Sequence, residues 1–242
     1  TGPLSFEDGR VTICPSALDD EKRLGLGDIV LRGGWLGIEQ SSVDLGLKLA
    51  STAGSVFRYS GASSLDLGAL VETLLEQTAV QADAAANAAL VREPGGVLIL
   101  GDVVGKKALG SDTGHHVFVN GGVPTAADGR VLAPIIGSRN YSMGFLAYDA
   151  TNGFTEYANY ATDFGAGKVV AIDATTNIAA DETVAADGLR LTLSRTQGGI
   201  VMGAGAKLNL GDGTNPALVL MNTAQQAGDS SYPAIKGGTV DF

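Results

Sequence analysis

The residues best suited to chemistry lie between 141 and 164. That stretch holds Tyr141, Phe145, Tyr148, Phe154, Tyr157, Tyr160 and Phe164, half of the chain's aromatic residues, with Asp149, Glu156 and Asp163 among them. Aromatic faces stack on flat apolar groups. Paired carboxylates cleave glycosidic bonds when they stand roughly 5–9.5 Å apart and one has a raised pKa. Tyr141, Tyr148, Asp149, Glu156, Tyr157 and Tyr160 therefore form the candidate surface for a glycan or a protein partner. In the competing reading the same rings pack an excursion of the chain onto the wall of the fold and leave no site.

Other acidic residues are less suggestive. Asp19, Asp20 and Glu21 run into Lys22 and Arg23 and read as a solvated loop. Asp44 and Asp66 occupy matching positions of a short repeat. On stacked strands about 4.8 Å apart they would face each other on an outer wall. His115 and His116 are the only histidines. Neighbours on a strand point to opposite faces, so they do not make one metal site. Cys14 is the only cysteine; it allows no intrachain disulfide and reads as a small buried hydrophobe. The chain lacks a Gly-x-Ser-x-Gly elbow, a dinucleotide or phosphate loop, and a calcium-loop repeat. No catalytic residue, metal or cofactor is expected.

The elements that would position these residues are short. Alternating apolar runs at Asp28–Leu31, Val43–Leu49, Val56–Tyr59, Leu65–Leu70, Val97–Leu100, Val117–Val119, Val169–Ile172, Leu189–Leu193, Lys207–Leu210 and Leu218–Met221 predict strands. Turns are predicted at Asp8-Gly9, Asn120-Gly121, Asp128-Gly129, Asn152-Gly153, Asp187-Gly188 and Asp212-Gly213. A form "apolar, any, Leu, Gly" recurs at Leu24–Gly27, Val43–Gly46, Leu65–Gly68, Leu98–Gly101 and Leu208–Gly211. Its first three copies begin at 24, 43 and 65, steps of 19 and 22 residues, near one turn of a parallel β-helix. An antiparallel sandwich is the alternative. Between Ala69 and Glu93, Leu70, Val71, Leu74, Leu75, Val80, Ala85, Ala89 and Leu90 fall at helical spacing, with a stop at Pro94-Gly95. This predicts one inserted helix that covers a coil face or edge.

Bulk composition agrees with a tightly turning chain. Gly makes up 35 of 242 residues, about twice the usual ~7%. The net charge of −10, with basic residues scattered, argues against nucleic acid and anionic membrane surfaces as partners. No apolar run is long enough for a membrane helix, so direct membrane insertion is not expected. Thr1 opens neither on an initiator Met nor on a signal peptide, and the chain reads as a mature or excised piece.

The stretch VLAPIIGSRNYSMGFLAYDATNGFTEYANYAT at 131–162, followed by DETVAADGLRLTLSRTQGGIVMGAGAKLNLG and a terminal GGTVDF, resembles bacterial proteins with autotransporter-associated β-strand repeats. The resemblance covers roughly residues 120–242; the N-terminal half matches only in style. It implies a right-handed parallel β-helix passenger, exported to the cell surface or beyond, with an adhesive or structural role and no catalytic set.

The expected fold is therefore an all-β, right-handed parallel β-helix forming one segment over 1–242. Coils run over 1–68, a helical insert over 69–94, and coils over 95–242 with an aromatic-rich excursion at 141–164. The expected role is a non-enzymatic, secreted or cell-surface structural or adhesive passenger segment, a subunit of an extracellular assembly or filament being one form of it. Its expected partners are copies of itself, neighbouring passenger segments or surface glycans. A polysaccharide-degrading or glycan-binding β-helix is the alternative.

Overall fold

The computed structural model describes residues 4–13, 23–24, 27–38, 48–49, 55–67, 89–102, 108–110, 117–119, 121–140, 142–193, 199–215, 217–223 and 235–242. They are all-β, and no helix occurs among them. The chain divides into two compact units, Thr1–Tyr157 and Ala158–Phe242, each with its own apolar core. The boundary falls inside the aromatic stretch.

The first unit contains β1 (Leu4–Glu7), β2 (Arg10–Ile13), β3 (Arg23–Leu24), β4 (Ile29–Arg32), β5 (Trp35–Ile38), β6 (Lys48–Leu49) and β7 (Val56–Ser60). It continues with β8 (Ala62–Asp66), β9 (Ala89–Arg92), β10 (Val97–Asp102), β11 (Ile135–Arg139), β12 (Ser142–Asp149) and β13 (Gly153–Glu156). One sheet runs β1-β4-β7-β9 and a short one β3-β6, both parallel. Another runs β2-β5-β8-β10-β11 in parallel and then turns back, antiparallel, through β12 and β13.

The second unit contains β14 (Val169–Ile172), β15 (Thr176–Ile178), β16 (Thr183–Ala186), β17 (Gly188–Leu193) and β18 (Ile200–Met202). Its remaining strands are β19 (Lys207–Leu210), β20 (Leu218–Thr223), β21 (Ile235–Lys236) and β22 (Thr239–Asp241). Each strand pairs in parallel with the third strand further on, giving sheets β14-β17-β20, β15-β18-β21 and β16-β19-β22.

Apolar side chains form columns across these ladders because stacked parallel strands place like positions one above the next. In β19, Leu208 and Leu210 are buried while Lys207 and Asn209 are exposed. Leu189 and Leu191 are buried on β17, and Phe57 and Tyr59 on β7. Burial pushes the Tyr59 phenol up to about 12, with Arg92 pulling the other way. The folded first unit thus keeps a proton that the unfolded chain releases near the usual tyrosine value of about 10. The stabilisation from this linkage is full below pH ~10 and is lost as pH rises through ~12, on the order of 2 kcal/mol. Urea midpoints at pH 9 and 11 are expected to show this decline in the parent chain and a smaller one in Tyr59→Phe.

Three sequence expectations are corrected here. First, the predicted helix over 69–94 ends in a strand. Residues 69–88 lie outside the described region, but Ala89–Arg92 is β9, with Leu90 opposite Phe57. Leu90 packs against the core, and this burial outweighs the intrinsic helical preference of the segment. Pro94-Gly95 is a corner between two strands, with Gly95 at φ 74° and the Gly96 N–H donating to the Glu93 carbonyl at 3.0 Å. Second, the ladder of the first unit does not follow the 19- and 22-residue steps. Leu4 lies opposite Ile29, Ile29 opposite Phe57 and Phe57 opposite Leu90, steps of 25, 28 and 33 residues. Third, Asp66 does not face an outer wall. It is buried and stands opposite Gly37 and Gly101. Asp44 lies outside the described residues.

Several predicted turns do take the conformation they require. Gly121, Gly129, Gly153 and Gly213 all have positive φ.

Candidate functional site

β12 and β13 carry three of the six candidate residues, Tyr148, Asp149 and Glu156. The β12–β13 turn is held by Asp149, whose Oδ1 accepts the backbone N–H of Thr151 and of Asn152, both at 2.8 Å. The Asn152 side-chain amide also donates to Asp149 Oδ2 at 3.0 Å. That amide, together with the backbone donors, holds the exposed Asp149 carboxyl below its usual range. Asp212 repeats the arrangement with the N–H groups of Thr214 and Asn215 and the Asn215 amide. Both turns read Asp-x-Thr-Asn, a local signal that sequence reasoning missed. Asp149 thus organises a turn.

The rings of the first unit point largely inward. Tyr148 is half-buried and meets Phe154 edge to face, centroids 5.0 Å apart. Its hydroxyl accepts the Val119 N–H at 3.1 Å and donates to the Val119 carbonyl at 3.2 Å, fastening the 117–119 segment beside β13. Tyr157 is buried, and its hydroxyl donates to Asp128 Oδ2 at 2.6 Å. Asp128 Oδ1 accepts the Arg130 N–H at 3.1 Å. Tyr157→Phe is expected to cost the first unit about 1–2 kcal/mol by removing a hydrogen bond to a charged acceptor. A urea midpoint lowered at unchanged slope checks this.

Glu156 is exposed and pairs with Arg139 at 3.0 Å. In the second unit the Arg190 guanidinium lies 4.0 Å over the Tyr160 ring. Asp163 donates nothing and accepts from Lys168 Nζ at 2.6 Å; this cation holds its carboxyl low. Tyr141, Cys14, His115 and His116 lie outside the described residues.

A general acid of a glycosidase needs a carboxyl pushed up. Asp149 and Asp163 are both shifted down, by donors that favour the charged form. The structure gives each of Asp149, Glu156, Tyr148, Tyr157 and Tyr160 a local partner within its own unit.

Among the described residues, no group of three or more His, Cys, Asp or Glu side chains is arranged to hold a metal ion. No described helix is long and apolar enough to cross a membrane. A small apolar cavity in the first unit is lined by Phe57, Leu65, Leu90, Leu98, Leu100, Val117, Val119 and Phe154. It offers only about 10 Å³ to the centre of a water-sized sphere. Its wall supplies no polar partner that would hold a water.

Compared with known protein families, curated proteins and solved structures, the chain matches none of them.

Proposed function

We propose that this chain is a non-enzymatic structural or adhesive element of an extracellular or cell-surface protein, built as a right-handed parallel β-helix. The observation that carries this reading is the pairing in the second unit, where each strand joins the third strand further on in one of three parallel sheets. A chain wound in repeated three-strand turns produces that order. The strong right-handed preference of parallel crossovers supplies the handedness. The likeness of residues 131–162 to autotransporter-associated β-strand repeats supports a passenger role and export.

Support for a non-enzymatic role comes from the candidate carboxylates, which cap a turn or pair with Arg139 and Lys168. Incubation with acidic and neutral polysaccharides, followed by assay for new reducing ends or unsaturated products, is expected to show no turnover. Cleavage that disappears in Glu156→Gln or Asp149→Asn would overturn this and favour the polysaccharide-degrading alternative. Binding on a glycan array, lost in the same variants, would favour a lectin-like surface.

A further inference from the structure

We propose that the first and last strand layers of this chain are the two halves of a head-to-tail joint between copies of the protein. The inference rests on the parallel β-helix reading above. Large apolar side chains are exposed among the described residues at Leu4 (37%), Val11 (37%), Met221 (53%) and Phe242 (86%). Three of these end a buried column. Leu4 stands opposite Ile29, which is opposite Phe57, and both partners are buried. Val11 stands opposite Leu36, and Leu36 opposite Leu65, again both buried. Met221 stands opposite buried Leu191. Phe242 directly follows β22. A column position buried in every inner layer but open at the end layer lacks only the next layer.

At the other end of each unit some of the edges are covered. In the first unit the ladder closes with antiparallel β12 and β13, and the Phe154 N–H of β13 donates to the Val117 carbonyl at 3.0 Å. In the second, the segment before β14 lies along the first layer. Ala161 bridges Val170, and the Gly165 N–H donates to the Ala185 carbonyl of β16 at 2.7 Å. Among the described residues β6, β9 and β15 also end their sheets, so it is the exposed apolar side chains that single out the β1–β3 and β20–β22 layers. Among the described residues, β1, β2 and β3 each lie at a sheet edge, and so do β20, β21 and β22.

A partner for the β1–β3 face must bring three parallel edge strands and an apolar column end. The β20–β22 face of a second copy has both. Pairing these faces continues each ladder in the parallel sense already present within each unit and covers edges that otherwise invite indiscriminate strand pairing. Because the two faces differ, the joint is heterologous and each dimer still offers one face of each kind. Chains of copies grow without a fixed end.

Sedimentation velocity of the whole chain from micromolar to millimolar concentration tests this. The parent protein is expected to form a series of species that lengthens with concentration. Leu4→Asp and Met221→Asp, each confirmed as β-folded by circular dichroism, are expected to weaken self-association at least a hundredfold. Val11→Asp and Phe242→Asp serve as second variants of the two faces if either first choice fails to fold. An equimolar mixture of one variant from each face retains one intact face of each kind and is expected to stop at the dimer. A parent protein that is β-folded yet monomeric throughout overturns the joint and leaves the coil reading standing. So does association that stops at a dimer or survives substitution of either face. A parent chain without β structure removes the coil reading and the joint with it.

Discussion

Gly101→Ala is expected to be among the most damaging substitutions in the first unit, lowering its stability by at least ~3 kcal/mol. Gly101 closes one copy of the short Leu-Gly repeat and sits in β10 between Asp66 of β8 and Ser138 of β11. Its φ of 130° is a conformation that side chains with a Cβ rarely adopt. A Cβ there would also run into the backbone carbonyl of Ser138. That carbonyl belongs to a central strand and cannot swing aside without breaking the β10–β11 ladder. Gly95→Ala separates the two causes. Gly95 also has a positive φ, 74°, but nothing lies within 4 Å of its added methyl. Its cost is expected to be only about 1–2 kcal/mol, the backbone share alone. Chemical denaturation of both variants, read with a probe confined to the first unit, checks the difference. Equal losses would mean that the Ser138 contact contributes nothing.

Phe154→Ala is expected to cost a further large amount, about 3–5 kcal/mol. Phe154 is wholly buried, meets Tyr148 edge to face and already borders the small apolar cavity. Its removal joins a ring-sized void to that cavity. The cavity lining includes Leu98 and Leu100 of β10, a strand held by ladders on both sides, so collapse into the void is limited. Phe154→Leu keeps part of the volume and is expected to lose clearly less. Thermal unfolding of the two variants beside the parent chain measures this. A loss below ~1 kcal/mol for the alanine variant would show that the site relaxes freely.

The candidate site was legible in its residues and not in its geometry. The aromatic stretch stood out by composition, but the partners its residues take did not. Tyr157 is buried against Asp128, a residue noticed only as part of an Asp-Gly turn. Arg139, the partner of Glu156, lies across two strand connections, and no local spacing links the two. Asp149 was more accessible to reasoning, because its capping partners are its own near neighbours. The recurrence of Asp-x-Thr-Asn at 212–215 repeats the signal.

Local patterning was enough to read the described chain as all-β and to place many of its strands and turns. Val56–Tyr59, Val169–Ile172 and Lys207–Leu210 were readable because alternation on a pleated strand is local: each residue's face follows from its neighbour's. Of the six predicted Asn-Gly and Asp-Gly turns, four place their glycine at positive φ, while Gly9 and Gly188 do not and Gly188 opens β17. Tertiary structure decided which strands pair, that β9 is a strand at the end of a helix-like run, and that β12 and β13 turn back antiparallel to close a parallel ladder. It also decided that Asp66 is buried between two glycines. The cause is the weak dependence of loop closure on length. Successive layers can be joined after 25, 28 or 33 residues at nearly the same entropic cost, so the step varies and the repeat blurs in the sequence while the ladder it builds stays in register.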